Sequence, residues 1–453
     1  MKTNKKLLAT GVLAASLFAG QAWGAVSADE AAKLGDTLTP MGAEKAGNGG
    51  EIPAWDGGLS TAPAGYQDDG IYLNPFADEQ PKFVIDQSNV DEYADKLSPG
   101  QVAMIRQYPE YKIPVYPTHR TATFPDHIQE ETRENATTTE LVAGGNGLEN
   151  YDDATPFPIP QSGLEVIWNH ITRYRGGAVQ RSVGQVTPTE SGDFSVVKFD
   201  EELVWNRYLD DYEPGQDDNV LFYFKQAITA PARLAGNVLL VHETINQVKE
   251  PRRAWIYNAG QRRVRRAPQV AYDGPGTAAD GMRTSDNLDM FNGAPDRYNW
   301  ELMGKKEMYI PYNSYKLVDR DLSYDDIIQP GHIDQDLARY ELHRVWHVRA
   351  TLKGGERHIY AQRDFYIDED SWQAAVIDHY DGRGELWRVG EAHAMQFYDQ
   401  DVPWYAVESL YDLLSGRYLV LGLTNEENNP YTFGIDRRSR DFTPAALRRA
   451  GLR

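Results

Sequence analysis

The sequence predicts an α+β protein whose body is one large antiparallel sheet, strongly curved or half closed, and three observations carry that prediction. From Val183 onward the apolar residues recur with period two in ten or more short runs, the spacing of half-buried strands. Most of these runs are joined by short Gly/Asp turns, too brief for the helical crossovers of a parallel sheet. The 27 Tyr and 10 Trp, with Tyr nearly twice as frequent as the 14 Phe, suit half-wet strands and open clefts better than a dry core.

The chain opens with Lys2, Lys5 and Lys6, an apolar run from Leu7 to Gly20, and small residues at Ala22 and Gly24. This is the pattern of a cleavable secretory signal peptide over 1–24, and it places the mature protein in the periplasm. The absence of cysteine excludes a lipidated N-terminus and a disulfide framework. Residues 25–160 are expected to form an irregular and helical wrapping segment. Ser27-Ala28-Asp29-Glu30 is a capping box for a short helix stopped by Gly35, and the Gly- and Pro-dense stretch 39–83 lies over the main body. A helix over 90–108 is broken at Ser98-Pro99-Gly100, and another is expected near Asp126 to Val142. Pro156-Phe157-Pro158-Ile159-Pro160 is a stiff connector and marks the boundary to the sheet domain, 161–425.

The strands expected there are Val183 to Thr187, Phe194 to Val204, Val220 to Ala227, Val238 to Asn246, Met308 to Val318, Tyr340 to Leu352, Arg357 to Ile367, Ala374 to Asp381 and Leu386 to Phe397. Between the fourth and fifth of these sits a β-hairpin over 254–267, expected inside the sheet. It has an aromatic arm with Trp255 and Tyr257, an Asn258-Ala259-Gly260-Gln261 turn, and a cationic arm with Arg262, Arg263, Arg265 and Arg266. The loop Asp273 to Asn299 is long and rich in Gly and Asp, and Val407 to Leu414 is expected to be a short helix. In the tail, 426–453, Thr443-Pro444 supplies an N-cap and first-turn pair for a closing helix that ends at Gly451.

The formal charge is −21, and removing the leader brings it to −24 over the remaining 429 residues. Such a surface repels nucleic acid, which excludes that class of partner.

Six motifs then carry a resemblance. They are L-T-P-M-G-A-E-K-A-G-N (38 to 48), I-P-A-W-D-G-G (52 to 58), P-F-P-I-P-Q-S-G with W-N-H (156 to 170), A-W-I-Y-N-A-G-Q-R-R-V-R-R-A-P (254 to 268), R-H-I-Y-A-Q-R-D-F-Y-I-D-E-D-S-W (357 to 372) and D-F-T-P-A-A-L-R-R (441 to 449). The chain resembles domain-of-unknown-function family 1329 over essentially its whole mature length. Through its sheet domain that family is similar to the LolA/LolB-like carriers, whose half-open antiparallel barrel is covered by helices around an apolar cavity. The resemblance implies a periplasmic, non-enzymatic carrier or accessory that binds a hydrophobic or lipid-like molecule. It also implies an RND/MMPL-type inner-membrane exporter and an outer-membrane barrel as partners. It brings no catalytic residue and no cofactor.

Candidate ligand-binding residues follow from the aromatic and cationic positions. Alternation puts Arg263 and Arg265 on one face of their strand, where guanidinium groups could hold an anionic head; the alternative is pairing with some of the chain's 67 acids. Trp255, Tyr257, Trp346, Tyr366 and Trp372 could line a cavity or simply fill a core. His343 and His347 would share a metal on a helix, but on the strand that Val345 and Val348 imply they stand about 13 Å apart, so no metal is expected there. Asp273, Asp280, Asp286 and Asp289 lack the spacing of a calcium loop and are expected to be solvated, and Glu369-Asp370 to be a polar turn. No G-x-S-x-G elbow or cysteine nucleophile is present. A scaffold without ligand, or a hydrolase using paired carboxylates, are the alternatives to a carrier.

Overall fold

The computed structural model of the chain describes residues 25–142, 144–216, 219–247, 249–267, 270 and 272–451. The expected leader at 1–24 lies outside the described residues. Seven helices are short: α1 (Ala28–Ala31), α2 (Val90–Tyr93), α3 (Pro99–Gln107), α4 (Asp126–Thr138), α5 (Gly163–Thr172), α6 (Tyr324–Ile327) and α7 (Pro444–Ala450). Their caps explain their positions. Ser27 accepts from the Glu30 amide, Ser98 and Gln101 close a reciprocal capping box on either side of Pro99, and Thr443 accepts from the Ala446 amide. Among the described residues no helix is long and apolar enough to cross a membrane.

The strands are β1 (Phe83–Ile85), β2 (Ile113–Val115), β3 (Glu140–Leu141), β4 (Leu148–Glu149), β5 (Ala178–Val186), β6 (Val197–Trp205), β7 (Val220–Ala230), β8 (Val238–Thr244) and β9 (Arg253–Asn258). They continue as β10 (Arg263–Arg266), β11 (Tyr298–Pro311), β12 (Tyr340–Leu352), β13 (Gln362–Asp368), β14 (Ala374–Tyr380), β15 (Leu386–Phe397), β16 (Val402–Asp412), β17 (Tyr418–Leu423) and β18 (Tyr431–Phe433). Sixteen of them form one sheet in the order β1-β2-β12-β13-β14-β15-β16-β17-β5-β6-β7-β8-β9-β10, with β11 added beside β12 and β18 beside β5. Every pairing is antiparallel except a single parallel contact of β12 with β2. The path does not return on itself among the described residues, so the sheet is curved and open.

Helix α5 defines the inner face. Val166, Ile167, Trp168 and Ile171 share one core with Val179, Leu203, Phe224 and Val241 from one half of the sheet and with Val348, Phe365, Ile377 and Trp404 from the other. One helix can touch both halves only because the sheet bends around it. Gly163 permits the closest approach, since a Cβ there would stand 2.9 Å from the Glu301 carbonyl carbon on β11. On the opposite face a second core gathers Met104, Ile105, Tyr111 and Ile327 against Tyr340, Val389 and Tyr411. A third puts α7 against β6 to β9, with Phe442 and Leu447 on Val204, Tyr223, Leu240 and Tyr257.

Three expectations are corrected. The stretch 407–414 is not helical: 407–412 belong to strand β16, which is buried on both faces and so lacks the alternation that marks a strand, and 413–414 form the turn after it. The run expected as one strand from Met308 to Val318 ends at Pro311 and is followed by a 3-10 turn, Tyr315–Val318. The arginine hairpin is paired as expected, Val264 opposite Tyr257, but it closes an edge of the sheet rather than lying inside it. Four exposed arginines suit an edge, where charge discourages pairing with another chain.

Candidate functional site

Directly opposite residues of antiparallel strands share a face, so register turns into rows across the sheet. One inner row runs Arg181, Glu201, Gln226, Leu239, Ile256, Arg265 from β5 to β10. The next runs Val179, Leu203, Phe224, Val241, Ala254. The loop between β10 and β11 lies over these rows, and Leu288, Asn292 and Pro275 to Thr277 cap a cleft against them. The cleft has two connected hollows of about 390 and about 650 Å³, counting their open mouths, which share Phe222, Phe224, Leu288 and Asn292. With the loop in this position the free width admits only a few water molecules. At the inner end, a bulge at Ala406 of β16 breaks the alternation, and both Trp404 and Tyr405 line the wall.

The wall is apolar but carries buried charge. Arg181 donates from Nε to Glu201 at 2.5 Å and from Nη2 to the Tyr405 hydroxyl at 2.8 Å, with its guanidinium 4.6 Å from the Trp404 ring centre. Gln226 donates to the other Glu201 oxygen at 2.6 Å. Asp289, from the covering loop, accepts from both Arg173, at 2.5 Å, and Arg175. Burial alone would raise the Asp289 carboxyl, but the two arginines outweigh it and hold it down to about 2. Burial, with Arg173 alongside and against the pull of Asp289, lowers Arg175 to about 10. Arg252 pairs with Glu243 and donates to the Asn292 carbonyl at 2.5 Å. Glu408 lies deeper, and burial, only partly offset by Arg283, pushes it up to about 7. Asp289 and Met290 have φ of 54° and 63°, a bend unfavourable for side-chain-bearing residues that aims the carboxylate between the arginines.

None of the seven predicted site residues lines this cleft. Arg263 and Arg265 stand exposed on the edge strand, and Arg265 is the register partner of Ile256, which does line it and is 42% exposed at the mouth. Trp255 and Tyr257 point the other way. Tyr257 is buried beneath Phe442 and Leu447, and Trp255 meets the edge of His242 at 4.8 Å. Trp346 and Trp372 stack at 6.4 Å elsewhere on the inner face, where the Trp372 indole donates to the Met41 carbonyl and Lys305 lies 4.6 Å over Trp346. Tyr366 faces away from them into a small core with Met308, Ile310 and Val345. The residues missed are Arg175, Arg181, Glu201, Arg252, Arg283 and Asp289. For Arg181 and Glu201 the signal was charge at inward positions of apolar strands, Arg181 between Val179 and Val183; Arg175, Arg252, Arg283 and Asp289 lie in connecting segments and gave none.

The loop acids and the turn acids are also corrected. Asp286 and Asp289 are buried, not solvated, and Asp286 accepts from Arg363 at 2.8 Å and His358 at 3.0 Å; Asp280 remains exposed. Arginines elsewhere in the chain, invisible to local reading, pull the two acids in. Glu369 and Asp370 do occupy a turn, but it is buried, with Asp370 doubly bonded by Arg120 at 2.9 and 2.7 Å and Glu369 bonded by Lys305 at 2.7 Å. His343 and His347 lie on a strand and serve separate acids, Glu341 at 3.1 Å and Asp364 at 3.2 Å. His343, Asp368 and Asp370 bring ligand atoms within 4.8 Å of one another, yet Arg120 already occupies both oxygens of Asp370.

The sequence model of a family described as protein of unknown function (DUF1329) matches residues 84–448. An uncharacterized protein of Pseudomonas aeruginosa is 69% identical over 455 residues, covering 100% of both chains. Two solved structures are more distant. A provisionally named outer membrane lipoprotein-sorting protein domain from Vibrio parahaemolyticus is 11% identical with a TM-score of 0.42, and a DUF1329 family protein from Desulfovibrio piger is 13% identical with a TM-score of 0.39. Each match covers 60% of this chain and 92% of the other.

Proposed function

This chain belongs to the DUF1329 family, and from its own cleft we propose that it is a periplasmic, non-enzymatic carrier of a hydrophobic, lipid-like molecule. The observation that carries the reading is the inner face of β6 to β9, where Leu203, Phe222, Phe224, Leu239 and Val241 form a continuous apolar wall with the loop between β10 and β11 lying over it. The wall shares a core with α5 on one side and is covered by the loop between β10 and β11 on the other, so lifting the loop would expose apolar surface that a ligand can take over. A catalytic use is disfavoured by the pairing of the cleft's acids. Glu201, Glu243 and Asp289 each pair with an arginine, which occupies the oxygens a general base would use.

The leader-like pattern at residues 1–24 supports the periplasm. Hand-over between an RND/MMPL-type exporter and an outer-membrane barrel is the finer form of the proposal and rests on the family resemblance. The test is direct: the protein is purified without detergent, extracted with organic solvent, and the extract examined by mass spectrometry. A stoichiometric hydrophobic compound is expected. Empty protein, together with no uptake of any amphiphile offered to it, would sink the carrier reading and leave the scaffold.

A further inference from the structure

We propose that the inner end of the cleft selects the head of its ligand, and that the ligand is an amphiphile with an anionic head group, a carboxylate or a phosphate ester. This rests on the carrier reading and adds to it the sign and place of the head. Arg175 and Arg181 line that end, Arg173 shares Asp289 with Arg175, and Arg283 lines the adjoining hollow; against these four guanidiniums stand two carboxylates, Asp289 and Glu201. A local excess of positive charge inside a chain of net charge −21 is unexpected on composition and costs free energy unless something anionic offsets it.

The second observation is independent of the count. Arg175, Arg181 and Arg283 are only 3%, 4% and 3% exposed, and each lines the cleft and carries an N–H with no partner among the described residues: Nε of Arg175, Nη1 of Arg181 and Nε of Arg283. Buried guanidinium donors are normally satisfied. Asn292 Oδ1 and Glu408 Oε2 are acceptors likewise left without a partner among the described residues. Trp404 and Tyr405 flank Arg181 and set the depth at which a head would stop, while the wall from Leu203 to Ile256 leads outward for an alkyl chain.

The experiment uses the full mature chain after solvent extraction, titrated calorimetrically with four probes of one chain length below their micellisation thresholds. These are dodecyl phosphate, dodecanoate, dodecanol and dodecyltrimethylammonium, with inorganic phosphate as a fifth arm. The anionic pair should bind about tenfold or more tighter than dodecanol, and inorganic phosphate alone should give no measurable heat. Equal binding of dodecanol and the anions overturns the head-group proposal and leaves the carrier standing. Binding of none of the amphiphiles removes both readings, and phosphate binding as tightly as its dodecyl ester makes the site one for a free anion. Arg283→Gln supplies the variant, because among the described residues the Arg283 side chain makes one long bond, 3.5 Å to Gln185. It should cut the preference of the anionic probes over dodecanol, and an unchanged preference in the folded variant overturns Arg283's part in the head site. If that variant does not fold, the comparison of probes on the unaltered chain still decides.

Discussion

Glu408 shows how burial at a single position reaches the whole stability curve. With Asp153 and Asp378 it is one of three carboxyls that burial pushes up to about 7. Each holds a proton in the folded chain at a pH where the unfolded chain, with ordinary carboxyls near about 4, has released it. The folded state therefore binds more protons, and stability falls as pH rises through about 7. His170 and His393, which burial holds down to about 3, act in the opposite sense: the unfolded chain protonates them below about 6.5, so stability is lost as pH falls from there. Between about pH 4 and about pH 7 the three carboxyls outweigh the two histidines, so thermal melts should fall across that window and level off above it. Glu408→Gln should lessen that fall and raise stability at pH 8 by on the order of 1–3 kcal/mol. A melting temperature that climbs steadily into alkaline pH would contradict the assignment.

At the scale of elements, the two faces of β9 do different work. Trp255 and Tyr257 look like ligand aromatics in sequence, yet they anchor α7, whereas their unremarkable neighbours Ala254 and Ile256 face the inner side. Alternation is visible in a sequence, but which phase points inward depends on what covers each face. Leu447 is fully buried in the α7 contact, so Leu447→Ala should cost about 2–5 kcal/mol in denaturant unfolding. The same variant should keep its extracted hydrophobic compound, because the deleted methyls lie on the far side of the sheet; loss of the compound without loss of stability would put the ligand under α7 instead. Helix α5 teaches a related point. Ser162 and Glu165 form a recognisable start signal, but burial on every side of Trp168, Asn169 and His170 removes the polar stripe by which an amphipathic helix is found.

For the molecule as a whole, acidic surface and cationic edge stand in contrast. The arginines at 262, 263, 265 and 266 are exposed on the terminal strand, and the register brings Arg263 and Arg265 to the inner face beside the cleft mouth. Replacing both, Arg263→Gln with Arg265→Gln, should reduce the amount of hydrophobic compound recovered per protein while leaving the melting temperature within about 1–2 °C, since exposed charges contribute little to stability. Unchanged recovery would assign these arginines to the surface alone.

The sequence by itself determined the curved antiparallel sheet, the family, the hairpin and most helix starts, because strand period, turn residues and caps are local properties of the chain. It could not determine the inner face or the partners of buried charge. Asp289 meets Arg173 and Arg175 across more than a hundred residues, and Arg181 meets Tyr405 across more than two hundred. Only the tertiary structure decided which acids are neutralised, which arginine donors are left over, and on which side of the sheet a cleft remains, because burial and electrostatic pairing depend on distances that chain folding alone sets.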